Sequence, residues 1–115
     1  MDDRLDKALQ VANLMITFNN QKRSLKEKYY LDCIFYFNGG IFTLNPSLIS
    51  YVKSLRDTGY ILDVVLLDDN QIPIMVENLE IFQQLITEKY SEATNSYYFE
   101  FEKLKKNRSV ESLTL

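Results

Sequence analysis

The run Cys33-Ile34-Phe35-Tyr36-Phe37-Asn38-Gly39-Gly40-Ile41-Phe42-Thr43-Leu44-Asn45-Pro46 decides the fold class. Its first five residues are mostly aromatic or β-branched, the side chains that suit a pleated, half-buried strand. Asn38-Gly39-Gly40 then supplies the positive φ of a tight turn, and Ile41 to Leu44 returns as a second strand. Asn45-Pro46 opens a helix. Asn suits the N-cap, and Pro at the first helical position gives up only an N–H with no intrahelical partner. Leu48, Ile49, Val52 and Leu55 form the apolar face of that helix, and Thr58-Gly59 ends it with Gly as the C-cap.

Downstream, Ile61 to Leu67 reads as a buried strand, Asp68-Asp69-Asn70-Gln71 as a turn, and Ile72 to Val76 as a returning strand marked as an edge by Pro73. Leu79, Phe82, Ile86, Tyr90, Ala93, Tyr97, Phe101 and Leu104 then recur in steps of three and four, which predicts one helix of about seven turns. Upstream, Leu5, Leu9, Ala12 and Ile16, flanked by Ala8, Val11, Met15 and Phe18, predict a helix from Asp2 to about Tyr29. Asn19-Asn20 marks a place for a bend or break in it. The order is helix, hairpin, helix, hairpin, helix. It predicts an α+β fold: a small antiparallel sheet from two β-hairpins with long N- and C-terminal helices and a short middle helix. The expected organisation is a single domain over residues 1–108 and a flexible C-terminal tail over 109–115. The two hairpin–helix stretches do not align, so they are not read as a repeat.

The 115 residues suit one domain, with 46% hydrophobic and 25% charged positions, and 15 aromatics can repay the entropy of ordering. No apolar run approaches 18 residues, which predicts no membrane span. The acidic start Met1-Asp2-Asp3-Arg4 is not followed by an apolar segment, so no secretory leader is expected. There is no histidine, which removes Ser-His and Cys-His catalysis, most zinc sites and the usual switch near neutral pH. The single cysteine, Cys33, cannot form an intrachain disulfide and is expected to be a buried, inert side chain. Only three glycines are present, and neither the dinucleotide-binding nor the P-loop pattern occurs. Chemistry would have to rest on carboxylates, Lys, Tyr or Ser alone. The expectation is therefore a protein that is not an enzyme and takes no cofactor or metal.

Two surfaces stand out as candidates. The first is the stripe Leu79, Phe82, Ile86, Tyr90, Tyr97, Phe101 and Leu104, longer than a small sheet can cover, so that its remainder must meet another helix. That helix is either the first one or one from a second protomer, hence an expected homo-oligomer with protein partners. The second is charge. Residues 1–30 carry a net +2, residues 31–102 a net −8 and residues 103–115 a net +3. Lys22, Arg23, Lys26 and Lys28 crowd the end of the first helix, and Lys103, Lys105, Lys106 and Arg108 the end of the last. These could join into a basic patch or simply complement the helix dipoles. The formal net charge of −3 argues against nucleic acid as the partner. The acidic turn at Asp68 lacks the register of a calcium loop. Of the pairs Tyr29-Tyr30 and Tyr97-Tyr98, one member of each falls on an apolar stripe, which favours packing over base stacking.

The order of landmarks also carries a resemblance. Asn45-Pro46-Ser47 opening a helix, Leu67-Asp68-Asp69-Asn70, then Gln71-Ile72-Pro73-Ile74 and a long helix closing in Leu104-Lys105-Lys106 resemble the domain of unknown function found on phage tail and tail-fibre proteins. Leu66-Leu67 stands where that domain often has an aromatic before the turn. With Asn19-Asn20-Gln21-Lys22, Asn38-Gly39-Gly40 and Asn107-Arg108-Ser109 added, the whole chain is similar to uncharacterised small proteins of T4-like marine bacteriophages. The resemblance supplies no functional residue. It implies a setting: the cytoplasm of an infected host cell or the virion, and a structural or assembly role. A regulatory adaptor, binding a polymerase- or clamp-type protein through the basic helix ends or the tail, is the alternative.

Overall fold

A computed structural model gives the fold and describes residues 2–114, with side chains described over residues 2–107. Seven elements follow one another: α1 (Asp3–Asp32), β1 (Ile34–Phe37), β2 (Gly40–Thr43), α2 (Pro46–Asp57), β3 (Leu62–Leu67), β4 (Pro73–Asn78) and α3 (Leu79–Thr114). The fold is α+β, with long terminal helices and a short middle one. The strands form two separate two-stranded antiparallel sheets rather than one, β1 with β2 and β3 with β4. The chain packs as two compact units, one of Met1–Tyr29 with Asn95–Leu115 and the other of Tyr30–Thr94.

In the Tyr30–Thr94 unit the local rules of the sequence are visible residue by residue. Phe37 pairs with Gly40, and the two residues between them, Asn38 and Gly39, both have positive φ (47° and 80°), the requirement of a type I′ hairpin turn. Asn45 caps α2, its side chain accepting the Leu48 N–H at 2.8 Å. Asn78 does the same for α3, accepting from the N–H groups of Glu80 at 3.0 Å and Ile81 at 3.2 Å. In the second hairpin Val64 pairs with Val76 and Leu66 with Ile74. The two-residue period of the strands buries these four and leaves Val65, Leu67 and Met75 exposed. Together with Cys33, Phe42, Leu44, Val52, Leu79, Phe82, Ile86 and Ala93 they make the core. Phe82 is its hub, edge-on to Phe42 (5.5 Å between ring centres) and to Phe37 (5.1 Å). Arg56 ties α2 to α3, donating to Gln83 Oε1 at 2.5 Å and lying 3.7 Å from Glu80.

The acidic turn explains why the two hairpins stay separate. Asp69 N–H donates to Ile41 O at 2.8 Å, and Asp68 Oδ2 accepts the Ile41 N–H at 3.0 Å. Asp69 also accepts from the Thr43 N–H at 3.1 Å and the Thr43 hydroxyl at 2.6 Å. Backbone groups of β2 that a third strand would use are thus taken by the loop between β3 and β4. At the other end Asn38 Nδ2 donates to Met75 O at 2.9 Å. Gly40 packs so tightly here that a Cβ would stand 2.6 Å from Ile74 Cγ1.

The other unit is a pair of antiparallel helices. Tyr29 of α1 stacks on Tyr97 of α3 with ring centres 4.9 Å apart. Lys28 Nζ reaches Ser96 Oγ at 3.5 Å. Earlier residues of α1 (Thr17, Gln21, Ser24) share a groove with later residues of α3 (Glu100, Lys103, Asn107). α1 runs unbroken through Asn19-Asn20, because two middling helix formers cost only some tenths of a kcal/mol each. It also runs past Lys28 to Asp32, leaving no base in its last turn, so the lysines do not serve as terminal dipole partners as expected. α3 is assigned through Thr114. The tail expected over 109–115 lies outside the residues whose side chains are described.

Candidate functional site

The candidate stripe divides between two jobs. Leu79, Phe82 and Ile86 are buried in the Tyr30–Thr94 core, at 0–1% exposure. They are consumed within the chain and are no oligomer surface, because the first turns of α3 close over the hairpins. Tyr90 is half-buried in the same unit. Tyr97, Phe101 and Leu104 are half-buried in the helical pair, where Tyr97 lies against Tyr29 and edge-on to Phe101. The tyrosines on the stripes thus serve packing, while Tyr30 and Tyr98 are exposed.

The basic candidates fall along one stretch of the antiparallel pair, since Lys22, Arg23, Lys26 and Lys28 stand at the level of α3 residues 97–103. Their charge is partly spent locally. Lys103 pairs with Glu100 at 3.8 Å and covers the Phe99 ring, Lys105 pairs with Glu102 at 3.1 Å and covers Phe101, and Lys22 lies over Phe18. Lys106 is exposed, and the Arg108 side chain lies outside the described residues. These groups share a level of the pair and not a face, since Arg23 and Lys28 stand about 140° apart around α1, and with two glutamates among them they make no strong anion site.

What the sequence reading missed is on α1. Leu5, Leu9, Val11, Met15 and Ile16 are all about half exposed. No described residue of the Met1–Tyr29 and Asn95–Leu115 unit is fully buried. The 4-3-4 spacing of Leu5, Leu9, Ala12 and Ile16 was visible, but which side of α1 would meet α3 was not. The outer face of the second hairpin is a further apolar surface, with Val65, Leu67 and Met75 on it.

Asp68 is a structural residue. Its two carboxylate oxygens accept the N–H groups of Ile41 (3.0 Å), Asn70 (2.9 Å) and Ile72 (2.9 Å). These bonds, Ile41 first and then Ile72, hold its pKa below the ordinary aspartate value against the opposing effect of burial. A carboxyl with a lowered folded pKa stabilises the fold above its unfolded pKa and loses that contribution as pH falls. The expected window is therefore below about pH 4. Asp68→Asn removes one acceptor and should lower Tm by on the order of 5–10 °C at pH 7. The gap between wild type and variant should shrink as pH falls from 5 to 2, and a gap that widened toward acid would reverse the assignment.

Cys33 is buried, as expected. Among the described residues no group of three or more acidic or cysteine side chains is placed to hold a metal ion. No helix among them is long and apolar enough to cross a membrane. Compared with protein-family models, with curated proteins and with solved structures, the chain matches none.

Proposed function

We propose that this chain is a non-enzymatic structural or assembly protein that works by protein–protein contact through its long helices, in the phage setting that the resemblance implies. The observation that carries the reading is the helical pair with no fully buried side chain among the described residues and with five large apolar side chains of α1 about half exposed, of which Leu5, Leu9 and Ile16 share one face. Two helices alone bury too little to justify such a face, and bundles gain stability by adding helices to it. A tagged pull-down from the native or infected cell, with the mass taken by light scattering, tests the role. Capsid or tail components in a fixed ratio are the expected result. Recovery of a polymerase- or clamp-type protein in their place would overturn it.

The adaptor reading keeps one observation in its favour, the gathering of Lys22, Arg23, Lys26, Lys28, Lys103, Lys105 and Lys106 along one stretch of the pair. It requires a partner with an acidic surface and an affinity that falls steeply with salt.

A further inference from the structure

We infer that the outward face of α1 is an interface with a second copy of this chain, the two α1 helices running antiparallel. The inference rests on the assembly reading above and names its partner. At 100° per residue, Leu5, Leu9, Ala12 and Ile16 fall within about 60° of one another. The half-buried Leu14, Phe18, Leu25 and Tyr29, the side turned to α3, centre about 160° away. α1 is therefore apolar on two opposite faces, and only one is occupied. Leu5 and Leu9 are 51% exposed and Ile16 58%. Val11 and Met15, though about half exposed, stand about 130° and 90° from the centre of this seam and are not part of it.

The spacing and the charges select the occupant. Alternating steps of four and three are the seam of one helix packing along another. Asn19 and Arg23 continue the same positions and end its apolar part. Reversed on itself, the seam is its own complement: Leu9 faces Ala12 of the second copy, a large side chain against a small one, and Leu5 faces Ile16. The same register sets Asp2 opposite Asn19 and one turn from Arg23 of the second copy, so that acid meets base beside the seam, while Arg4, Lys7 and Lys22 lie on the side turned to α3. A parallel pair would place acid against acid and base against base, so the antiparallel pair is the favoured one.

Sedimentation and light scattering on the full chain test it. Wild type should weigh twice 13.6 kDa at micromolar concentration. Ile16→Glu and Leu9→Lys should each weaken the dimer about 100-fold or more while leaving helix content intact, because both positions are exposed in the protomer. Leu5→Cys with Ile16→Cys should oxidise to a covalent dimer, and Leu5→Cys alone should not. A wild-type dimer that Ile16→Glu leaves unchanged would overturn this seam and leave self-association standing. Cross-linking by Leu5→Cys alone would overturn the antiparallel order. A wild-type monomer would overturn the interface outright, and the pull-down would still judge the assembly role by itself.

Discussion

Phe82→Ala will destabilise the Tyr30–Thr94 unit by about 3–5 kcal/mol, the cost of emptying a fully buried aromatic site. The ring is 1% exposed and sits among Phe35, Phe37 and Phe42, so three of its neighbours come from the first hairpin. Collapse into the vacancy would have to move β1 and β2 toward α3. The links of β2 to Asp68 and Asp69 oppose that movement. Much of the cavity should persist, which places the cost in the upper part of the range. Whole domains are stable by only about 5–15 kcal/mol, so the variant should lose a large fraction of the stability of this unit. Hydrogen exchange read on peptides from β1 to β4 is the suitable measurement, because it reports this unit separately from the helical pair. Protection lost across all four strands is the expected result, and a loss confined to α3 would show that Phe82 does not organise the hairpins.

Much of this core was legible in the sequence because its signals are local. Asn38-Gly39 needs only two positive φ values to set the first hairpin, and Asn45-Pro46 caps α2 without help from distant residues. The run Ile61 to Leu67 read as a buried strand, yet only Val64 and Leu66 are buried and Leu62, Val65 and Leu67 stand exposed, because one face of the second hairpin is uncovered. What local signals could not supply was the use of the acidic turn. Asp68 and Asp69 read as a polar loop, yet their carboxylates take up N–H groups on β2 more than 20 residues away, and this keeps the sheets apart. Asn78 as the cap of α3 was available from the sequence, since Asn directly before an apolar periodic run is a start signal. On α1 the residues were visible but their surroundings were not. Apolar steps of three and four identify a helix face, and they do not say whether that face meets the same chain, another chain or water.

Ile86→Glu and Phe101→Glu will separate the two jobs of the α3 stripe, although the sequence writes them as one pattern. Ile86 is fully buried in an apolar core, so the new carboxylate would lose its water there. Leaving a charge uncompensated in such a site costs about 3–5 kcal/mol or forces the group to take up a proton. The Tyr30–Thr94 unit should then unfold at neutral pH and recover part of its structure in mild acid, where the introduced carboxyl is neutral. Phe101 is only half-buried, in the helical pair, and Lys105 lies over its ring. A glutamate there stays partly in water beside a cation, and its cost should fall nearer 1–2 kcal/mol, confined to exchange protection in α1 and the later turns of α3. If the stripe were a single intermolecular seam, both variants would lower the mass in solution while all four strands kept their protection. The structure requires the opposite for Ile86: strand protection is lost first, and any change in mass follows from unfolding.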